Sequence, residues 1–281
     1  MPEINTRQGE HVSVSKGLRP GTACAAKLWV ARLVASHTAG RVIGALSANR
    51  VRHQGVWFDV RGSDFSPQVR AQMFWGSYEG AETRMIRELL RGSTSVVELG
   101  SSLGVTTAHA AALMAPGGRL VCVEANPLLL PGLRDRLARH TVSLHVDFLH
   151  AAVTDTCGEA VFYVSPSTVS SSLGPPPGQR ARLPAGPSGR RVRVPASTLR
   201  EILRRAEVDE FDLICDIEGA EAAFLLKDPD VLRRCRRAVI ELHETTFDGR
   251  PVSVSDLAEA ATTTGLRVVR RHGPVVGLVR P

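Results

Sequence analysis

The 281-residue sequence has no run of about 18 consecutive apolar residues, so it predicts no membrane-spanning helix. Its first residues lack the basic segment and apolar core of a secretory signal peptide, so the expected compartment is the cytoplasm. The five cysteines are odd in number and form no C-x-x-C pair. We therefore expect free thiols in a reducing compartment, buried where they lie in apolar runs, as Cys122 and Cys215 do.

Lysine is nearly absent. Lys16, Lys27 and Lys227 are the only three, and arginine supplies almost all of the positive charge behind the formal net charge of +7. We interpret this skew as codon bias more than recognition. A basic surface suits an anionic partner such as a nucleotide sugar, a nucleic acid or membrane headgroups, and charge alone does not choose among them.

Apolar strand-like runs alternate with helical segments along most of the chain, which predicts an α/β fold with a mostly parallel sheet. The predicted strands are 96–99, 120–124, 143–153, 211–217, 237–242, 266–271 and 275–279, with a short added strand at 159–165. The predicted helices are 105–115, 128–140, 198–206, 220–227 and 254–264. The last two strands are expected to form an antiparallel hairpin, because a short turn at 272–274 separates them. Seven strands closed by such a hairpin are the layout of a Rossmann-like methyltransferase.

We expect the chain to divide into an N-terminal extension at 1–65, partly helical or mobile, and a methyltransferase domain at 66–281. Within the extension, residues 23–34 have the pattern of an amphipathic helix. Residues 165–195 are rich in Ser, Pro, Gly and Arg, and they are too long and irregular for a simple connector. They predict a substrate loop or lid whose arginines contact a phosphate or carboxylate, with a disordered solvated insertion as the alternative.

Two turns carry the signal for a cofactor. Gly100 and Gly104 follow the first strand and let the backbone approach a ligand closely. Glu124 ends the second strand, 24 residues after Gly100, where a carboxylate can accept hydrogen bonds from both ribose hydroxyls. The spacing is not the dinucleotide fingerprint G-x-G-x-x-G, and Glu98 repels a pyrophosphate but suits a cationic ligand. The pattern favours S-adenosylmethionine over NAD, with an ordinary strand–helix turn as the alternative.

Acidic residues and a histidine follow the next two buried strands. Asp216 and Glu218 follow the fourth strand, and His243 lies just beyond the fifth on the same sheet edge. Methyl transfer to a hydroxyl requires an aligned acceptor and benefits from a general base. We predict Asp216 and His243 as the working catalytic pair: His243 as base or substrate orienter, Asp216 as base or as holder of the cofactor's ammonium group. Glu218 and Glu241 are expected to support them.

Other roles fit the same residues. Glu218 and Glu221 suit helix capping equally well, and His243 suits an ordinary polar position at a strand end. Asp216, Glu218 and His243 could together bind a divalent ion such as magnesium or manganese. No spacing in the sequence enforces a metal site, so we assign no metal ligands at this point.

Six segments in order resemble the FkbM family of S-adenosylmethionine-dependent methyltransferases, over roughly residues 70–245. They are Phe74–Glu82, Glu98–Gly104, Val123–Pro127, Ala151–Gly158, Ile214–Glu221 and Ile240–His243. Glu98 stands where the family usually has aspartate. The resemblance implies cofactor contacts from Tyr78, Glu79, Glu98, Gly100, Ser101, Ser102, Gly104, Thr106, Glu124, Ala125, Asn126, Ala151, Ala152 and Asp216.

The resemblance also implies an O-methyltransferase for hydroxyls of sugars or of glycosylated and polyketide natural products, with a sugar hydroxyl as our first choice. A nucleic acid methyltransferase is disfavoured, because the fourth strand ends in Asp-Ile-Glu-Gly and not in the Asn/Asp-Pro-Pro-Tyr motif that grips a flipped base. An RNA ribose 2′-hydroxyl target escapes that objection. A non-catalytic S-adenosylmethionine-binding scaffold is a further alternative, and an oxidoreductase is the weakest. The sequence leaves the oligomeric state open.

Overall fold

The computed structural model of the protein describes residues 36–164, 173 and 190–281. The helix predicted at 23–34, Cys24 and most of the predicted substrate loop lie outside these residues. Helices α1–α8 span His37–Leu46, Pro67–Phe74, Gly80–Leu89, Val105–Ala111, Leu130–Leu137, Leu199–Arg205, Ala222–Leu225 and Val254–Thr263, and a 3-10 helix covers Pro229–Arg234. Strands β1–β14 span Arg50–His53, Val56–Asp59, Ser95–Leu99, Arg119–Glu124, His145–His150, Ala152–Val153, Gly158–Val164, Arg190–Ser197, Phe211–Cys215, Cys235–Glu241, Thr245–Phe247, Arg250–Val252, Arg267–His272 and Val275–Val279.

Seven strands form the central sheet in the order β13-β14-β10-β9-β3-β4-β5. The strands from β10 to β5 in this order pair in parallel, whereas β14 is antiparallel to both of its neighbours. The predicted Rossmann-like α/β fold with an antiparallel hairpin is therefore confirmed. Strand order reverses at β3, and the crevice beyond the carboxyl ends of β3 and β9 is where ligands bind in such sheets.

Both faces of the sheet are covered, which explains why its central strands carry apolar side chains on both faces. Val97 and Leu99 of β3 belong to one core cluster, with residues of α6, α7 and α8. Val96, one residue away, belongs to the other, with residues of α3, α4 and α5. Because side chains alternate along a strand, β3 contributes to two hydrophobic layers at once.

The turn after β3 lies directly against the chain that follows β9. The Asp216 amide donates to the Leu99 carbonyl at 3.0 Å. Gly100 has a φ of +86°, and a Cβ atom there would lie 2.0 Å from the Asp216 carbonyl oxygen. A residue with a side chain therefore does not fit at this position without a backbone shift.

The strand predicted at 143–153 is divided in the structure, so that prediction was wrong for its last three residues. Residues 145–150 form β5 of the main sheet, but β6 leaves that sheet and pairs in parallel with β8. The strands β6, β8 and β7 form a separate three-stranded sheet. The apolar run through Val153 looks continuous in sequence, and only the pairing partner shows where the chain changes sheets.

Strand β8 includes the last residues of the predicted substrate loop. Arg191 of this strand lies over the Tyr163 ring at 5.6 Å, and Arg193 pairs with Glu159 at 3.2 Å. These two arginines thus have partners on the neighbouring strand β7.

Part of the predicted N-terminal extension packs on the domain. Strands β1 and β2 form a hairpin whose Val51 and Phe58 join the core cluster of α3, α4 and α5. His53 on this hairpin places its Nδ1 atom 2.9 Å from Nε2 of His109 in α4, and both rings are buried. Burial lowers the pKa of both side chains, that of His109 to about 3. The pair is therefore uncharged at neutral pH.

No helix within residues 36–164 and 190–281 has the length and apolarity that crossing a membrane requires. Cys122, Cys215 and Cys235 are buried free thiols, as expected for the first two, which lie in apolar runs, whereas Cys157 is an exposed free thiol.

Replacing Gly100 with alanine is expected to destabilise the fold through the clash with Asp216. Gly62 is the matched control, because it has a φ of +95° with no neighbouring atom within 4 Å of an added Cβ. We expect Gly100→Ala to lower the free energy of unfolding by about 2 kcal/mol more than Gly62→Ala, as measured by urea denaturation. Equal losses would contradict the close approach.

The His53–His109 pair is expected to make stability fall in mild acid. The folded state keeps His109 neutral below the ordinary imidazole pKa, whereas the unfolded chain takes up a proton, so stability is lost as pH falls below about 6.5. Between pH 7.5 and 5.5, wild type should lose about 1 kcal/mol more than His109→Gln in urea denaturation. His145→Gln removes an exposed histidine and should keep the wild-type dependence of unfolding free energy on pH. The same dependence in His109→Gln would show that the buried pair does not cause the loss of stability in acid.

Candidate active site

A cleft opens at the carboxyl ends of β3, β4 and β9 and encloses about 660 Å³, including its opening to solvent. The small sheet of β6, β7 and β8 contributes one of its walls. The predicted site residues that line the cleft are Glu79, Gly100, Ser102, Glu124, Ala125, Ala151, Ala152, Asp216 and Glu218. The structure thus brings together residues that lie up to 139 positions apart in the chain, from Glu79 to Glu218.

The other predicted cofactor residues do not line the cleft: Tyr78, Glu98, Ser101, Gly104, Thr106 and Asn126. Glu98 is completely buried, and its Oε2 atom accepts a hydrogen bond from Thr107 of α4. Burial raises the pKa of Glu98 to about 7. Gly104 begins α4 and packs against Leu133 and Leu137 of α5. Glu98 and Gly104 therefore shape the turn from behind the cleft.

An apolar wall of the cleft was missed by sequence reasoning. Leu129, Phe162 and Leu173 contribute to it. Phe162 lies on β7, and the pattern of that segment predicted a strand but gave no sign of which side chain faces a ligand. Flat apolar surface of this kind suits a nucleobase ring.

Glu124 is fixed by backbone amides at the mouth of the second turn. The Ser102 amide donates to its Oε2 atom at 2.7 Å, and the Asn126 amide donates to its Oε1 atom at 2.6 Å. Each carboxylate oxygen has a second lone pair available for a hydroxyl. Burial raises the pKa of Glu124, while the amides of Asn126 and Ser102 oppose that shift. The group is oriented before any ligand arrives.

Carboxyl groups crowd the cleft. Glu79, Glu124, Asp216 and Glu218 line it, and none of the described lining residues is basic. The Oε2 atom of Glu79 and the Oδ1 atom of Asp216 are buried without a hydrogen-bond partner. Burial and then Asp216 raise the pKa of Glu79 well above its ordinary value, and burial and then Glu241 raise that of Asp216 to about 8. The cleft therefore attracts cations and repels phosphates.

Tyr78 and Glu79 immediately precede α3. Glu79 has a φ of +45°, a left-handed conformation that turns the chain into the helix. Burial, and then the charge of Glu79, raise the pKa of the Tyr78 phenol well above its ordinary value. Tyr78 keeps its proton and packs beside the cleft without lining it.

His243 lies next to the cleft, encircled by carboxylates. Its Nε2 atom is 3.7 Å from Glu218 Oε2, 3.8 Å from Asp216 Oδ1 and 3.9 Å from Glu241 Oε1. These separations exceed hydrogen-bond length. Burial disfavours charge on His243, but hydrogen bonding to Glu221 and the surrounding negative charges outweigh it and raise the pKa to about 9. The predicted pair of Asp216 and His243 is thus adjacent in space.

Glu221 was assigned no catalytic or ligand-binding role from sequence, yet it holds His243 in place. It is completely buried, and its Oε1 atom lies 3.1 Å from His243 Nδ1. The same oxygen accepts the backbone amides of Ile217 and Gly219 at 3.2 and 3.3 Å. Glu221 is the last residue of the Asp-x-Glu-Gly-Ala-Glu segment, so the motif included it. Its position before a predicted helix, however, indicated a helix-capping role equally well.

A second cleft meets the first at Glu79. It encloses about 990 Å³ with its open mouth, between the start of α3 and the turn of the closing hairpin. Its polar lining includes Ser77, Glu82, Arg84 and Glu241. Glu241 of this cleft lies 3.9 Å from His243 Nε2, so His243 is close to both clefts without lining either.

Asp216, Glu241 and His243 each offer one ligand atom, and these atoms lie within 4.8 Å of one another. This is a donor set of two carboxylates and one imidazole. Such donors suit a hard divalent cation.

Three solved structures of similar fold are remote from this chain in sequence. A protein of the NADB-Rossmann superfamily from Streptococcus agalactiae is 10% identical, with a TM-score of 0.36. The likeness covers 70% of this chain and 65% of that protein, so this chain spans just under two thirds of that relative's length. An O-methyltransferase from Bacillus cereus in complex with SAH has 11% identity, coverages of 91% and 97%, and a TM-score of 0.39. Aeropyrum pernix fibrillarin with S-adenosyl-L-methionine has 14% identity, coverages of 71% and 73%, and a TM-score of 0.37. With TM-scores below 0.5, nothing about activity follows from these likenesses.

No curated protein matches the sequence significantly. The sequence model of the Methyltransferase FkbM domain family, in contrast, matches residues 98–263, which is more than half of the chain. The matched range begins at Glu98 before the first turn and includes Asp216, Glu241 and His243. The chain therefore belongs to the FkbM family of S-adenosylmethionine-dependent methyltransferases.

Proposed function

We propose that this methyltransferase acts on a hydroxyl oxygen of a sugar or of a glycosylated, polyketide-type natural product. The observation that carries the proposal is that Glu79 lines both clefts, while His243 lies within 4 Å of Asp216 in the first cleft and of Glu241 in the second. The first cleft suits a cationic adenosine cofactor, and the second is lined by hydrogen-bonding side chains.

The residues of the first cleft fit S-adenosylmethionine. Glu124 accepts hydrogen bonds from the ribose hydroxyls, because both of its oxygens are oriented by backbone amides and keep a free lone pair. Glu79 receives the ammonium group, because its Oε2 atom is buried without a hydrogen-bond partner. Phe162 and the apolar residues beside it cover the adenine ring. The pyrophosphate of NAD has no basic or cationic partner among the described lining residues.

Asp216 and His243 bind and activate the acceptor hydroxyl. The bound cofactor supplies a methyl group on a positively charged sulfur. Glu221 orients the imidazole through Nδ1, so Nε2 faces the carboxylates and the acceptor side. Glu241 and Glu218 complete a ring of hydrogen-bond acceptors around the reacting oxygen, which positions a hydroxyl for in-line attack.

The second cleft favours a polyol over a nucleic acid. Carboxylates such as Glu79, Glu82 and Glu241 accept hydrogen bonds from sugar hydroxyls, and Arg84 donates them. A nucleic acid brings phosphates, which these carboxylates repel. An RNA ribose 2′-hydroxyl is the second candidate acceptor, supported by the net charge of +7 of the whole chain.

Loss of the Glu124 carboxylate is expected to weaken cofactor binding. Calorimetric titration with S-adenosylmethionine and S-adenosylhomocysteine should show Glu124→Gln binding about 10-fold to 100-fold more weakly than wild type, because a charge-assisted contact to the ribose is lost. Glu210→Gln, which makes the same change at an exposed site, should bind as wild type does. Unchanged affinity in Glu124→Gln, or binding of NAD alone by wild type, would overturn the cofactor assignment.

Loss of His243 is expected to abolish methyl transfer while cofactor binding survives. Transfer of radiolabelled methyl from S-adenosylmethionine would be measured on a panel of free and glycosidically linked sugars, with a transcribed RNA as comparator. His243→Asn should lose at least about 100-fold in turnover, whereas Glu244→Gln at the exposed neighbour should retain it. Methylation of the RNA alone would show that the acceptor is an RNA ribose hydroxyl and not a hydroxyl of the proposed sugar class. Wild-type turnover in His243→Asn would show that His243 takes no part in the reaction.

A further inference from the structure

We infer that Asp216, Glu241 and His243 form a binding site for a divalent cation of the magnesium–manganese class, which holds the acceptor hydroxyl beside the cofactor cleft. This inference rests on the proposed function for its role. The site itself is argued from the geometry around one nitrogen atom.

The tautomer of His243 is set by Glu221. The Oε1 atom of Glu221 already accepts two backbone amides, and it accepts the His243 Nδ1 proton as well. When Nε2 gives up its proton to an incoming cation, an imidazole held in this way presents a lone pair at Nε2. A carboxylate that holds one ring nitrogen while the other faces a cation is the arrangement by which proteins orient metal-ligating histidines.

The atoms around Nε2 are spaced for an ion. Asp216 Oδ1 lies 3.8 Å from Nε2, and Glu241 Oε1 lies 3.9 Å from it, both too far for a hydrogen bond. Two ligands of one cation, each at about 2.1 Å, lie at most about 4.2 Å apart. All three ligand atoms lie within 4.8 Å of one another, so shifts of less than about 1 Å bring them to ligand distance from one ion.

One donor atom has no other partner in the fold. Asp216 Oδ1 is buried and makes no hydrogen bond with any described group. Within 4 Å, His243 is the one described basic side chain that neighbours Asp216, Glu218 and Glu241. Three carboxyl groups around a single imidazole repel one another when they are ionised, and a divalent cation among them stabilises the ionised forms.

The site is placed to serve the acceptor. Glu241 lines the second cleft, and Asp216 lines the first. A magnesium ion prefers about six ligands, so three protein donors leave about three positions open for water or for hydroxyl oxygens of the acceptor. Neighbouring hydroxyls of a sugar are bidentate ligands of the right hardness, which agrees with the proposed acceptor class.

The test is a titration of the purified protein with manganese(II) chloride, followed by the electron paramagnetic resonance signal of the free ion. Each titration is run with and without S-adenosylhomocysteine, so that a site completed by the cofactor is also detected. Wild type should bind one ion per chain, and magnesium chloride should displace it. Asp216→Asn, Glu241→Gln and His243→Asn should each weaken binding at least tenfold, and Glu221→Gln about 10-fold to 100-fold through loss of the held tautomer.

Glu244→Gln is the matched control, because it removes an exposed carboxylate one residue from His243 and should leave ion binding unchanged. Circular dichroism establishes that each variant is folded. Wild type that binds no manganese at millimolar concentration, or ligand variants that bind as tightly as wild type, would overturn the site. Ion binding without methyl transfer to any sugar would preserve the site and refute the proposed acceptor, so the two failures are distinguishable.

Discussion

The contact between the turn after β3 and the chain after β9 is the constraint on which the whole site depends. Gly100 has no side chain, so its backbone lies against the Asp216 carbonyl, and hydrogen bonds tie each turn to a neighbouring strand. The Asp216 amide donates to Leu99, and the Gly100 amide donates to Val123 of β4 at 2.9 Å. Three strand ends are thereby locked together. Glu124 and Asp216 come from two of these strand ends and face a common cleft. The locked backbone, and not side-chain motion alone, sets the distance between them.

Local charge and overall charge have opposite signs in this protein. The chain carries a formal net charge of +7, yet its cleft is lined by carboxylates and by no described basic side chain. Like charges this close raise one another's pKa, so the site is electrostatically costly until a cation occupies it. A sulfonium cofactor and a divalent ion are two ways of supplying that charge. Both proposals therefore follow from one electrostatic imbalance at one edge of the sheet.

Glu221 and Glu98 show how a buried carboxylate serves as a structural part of an active site. Neither lines the cofactor cleft. Glu221 closes the turn after β9 and fixes the orientation of His243, whereas Glu98 joins β3 to α4 through Thr107. A change at either residue acts on the ligand through a neighbour. The reacting groups are held by a second layer of hydrogen bonds, as in metal sites and acid–base pairs generally.

The sequence by itself determined the fold class, the family and the strand ends where the chemistry lies. Apolar runs that alternate with helical segments predict parallel strands. Motif residues such as Glu124 and Asp216 lie at the carboxyl ends of these strands, because that edge of a parallel sheet is where ligands bind. Only the tertiary structure decided that Glu98 faces away from the cleft, that residues 152–153 join another sheet and that Phe162 forms a cleft wall. It also decided that Glu221 orients His243. These outcomes depend on pairing partners and on side-chain direction across long sequence separations, and local spacing carries no information about either.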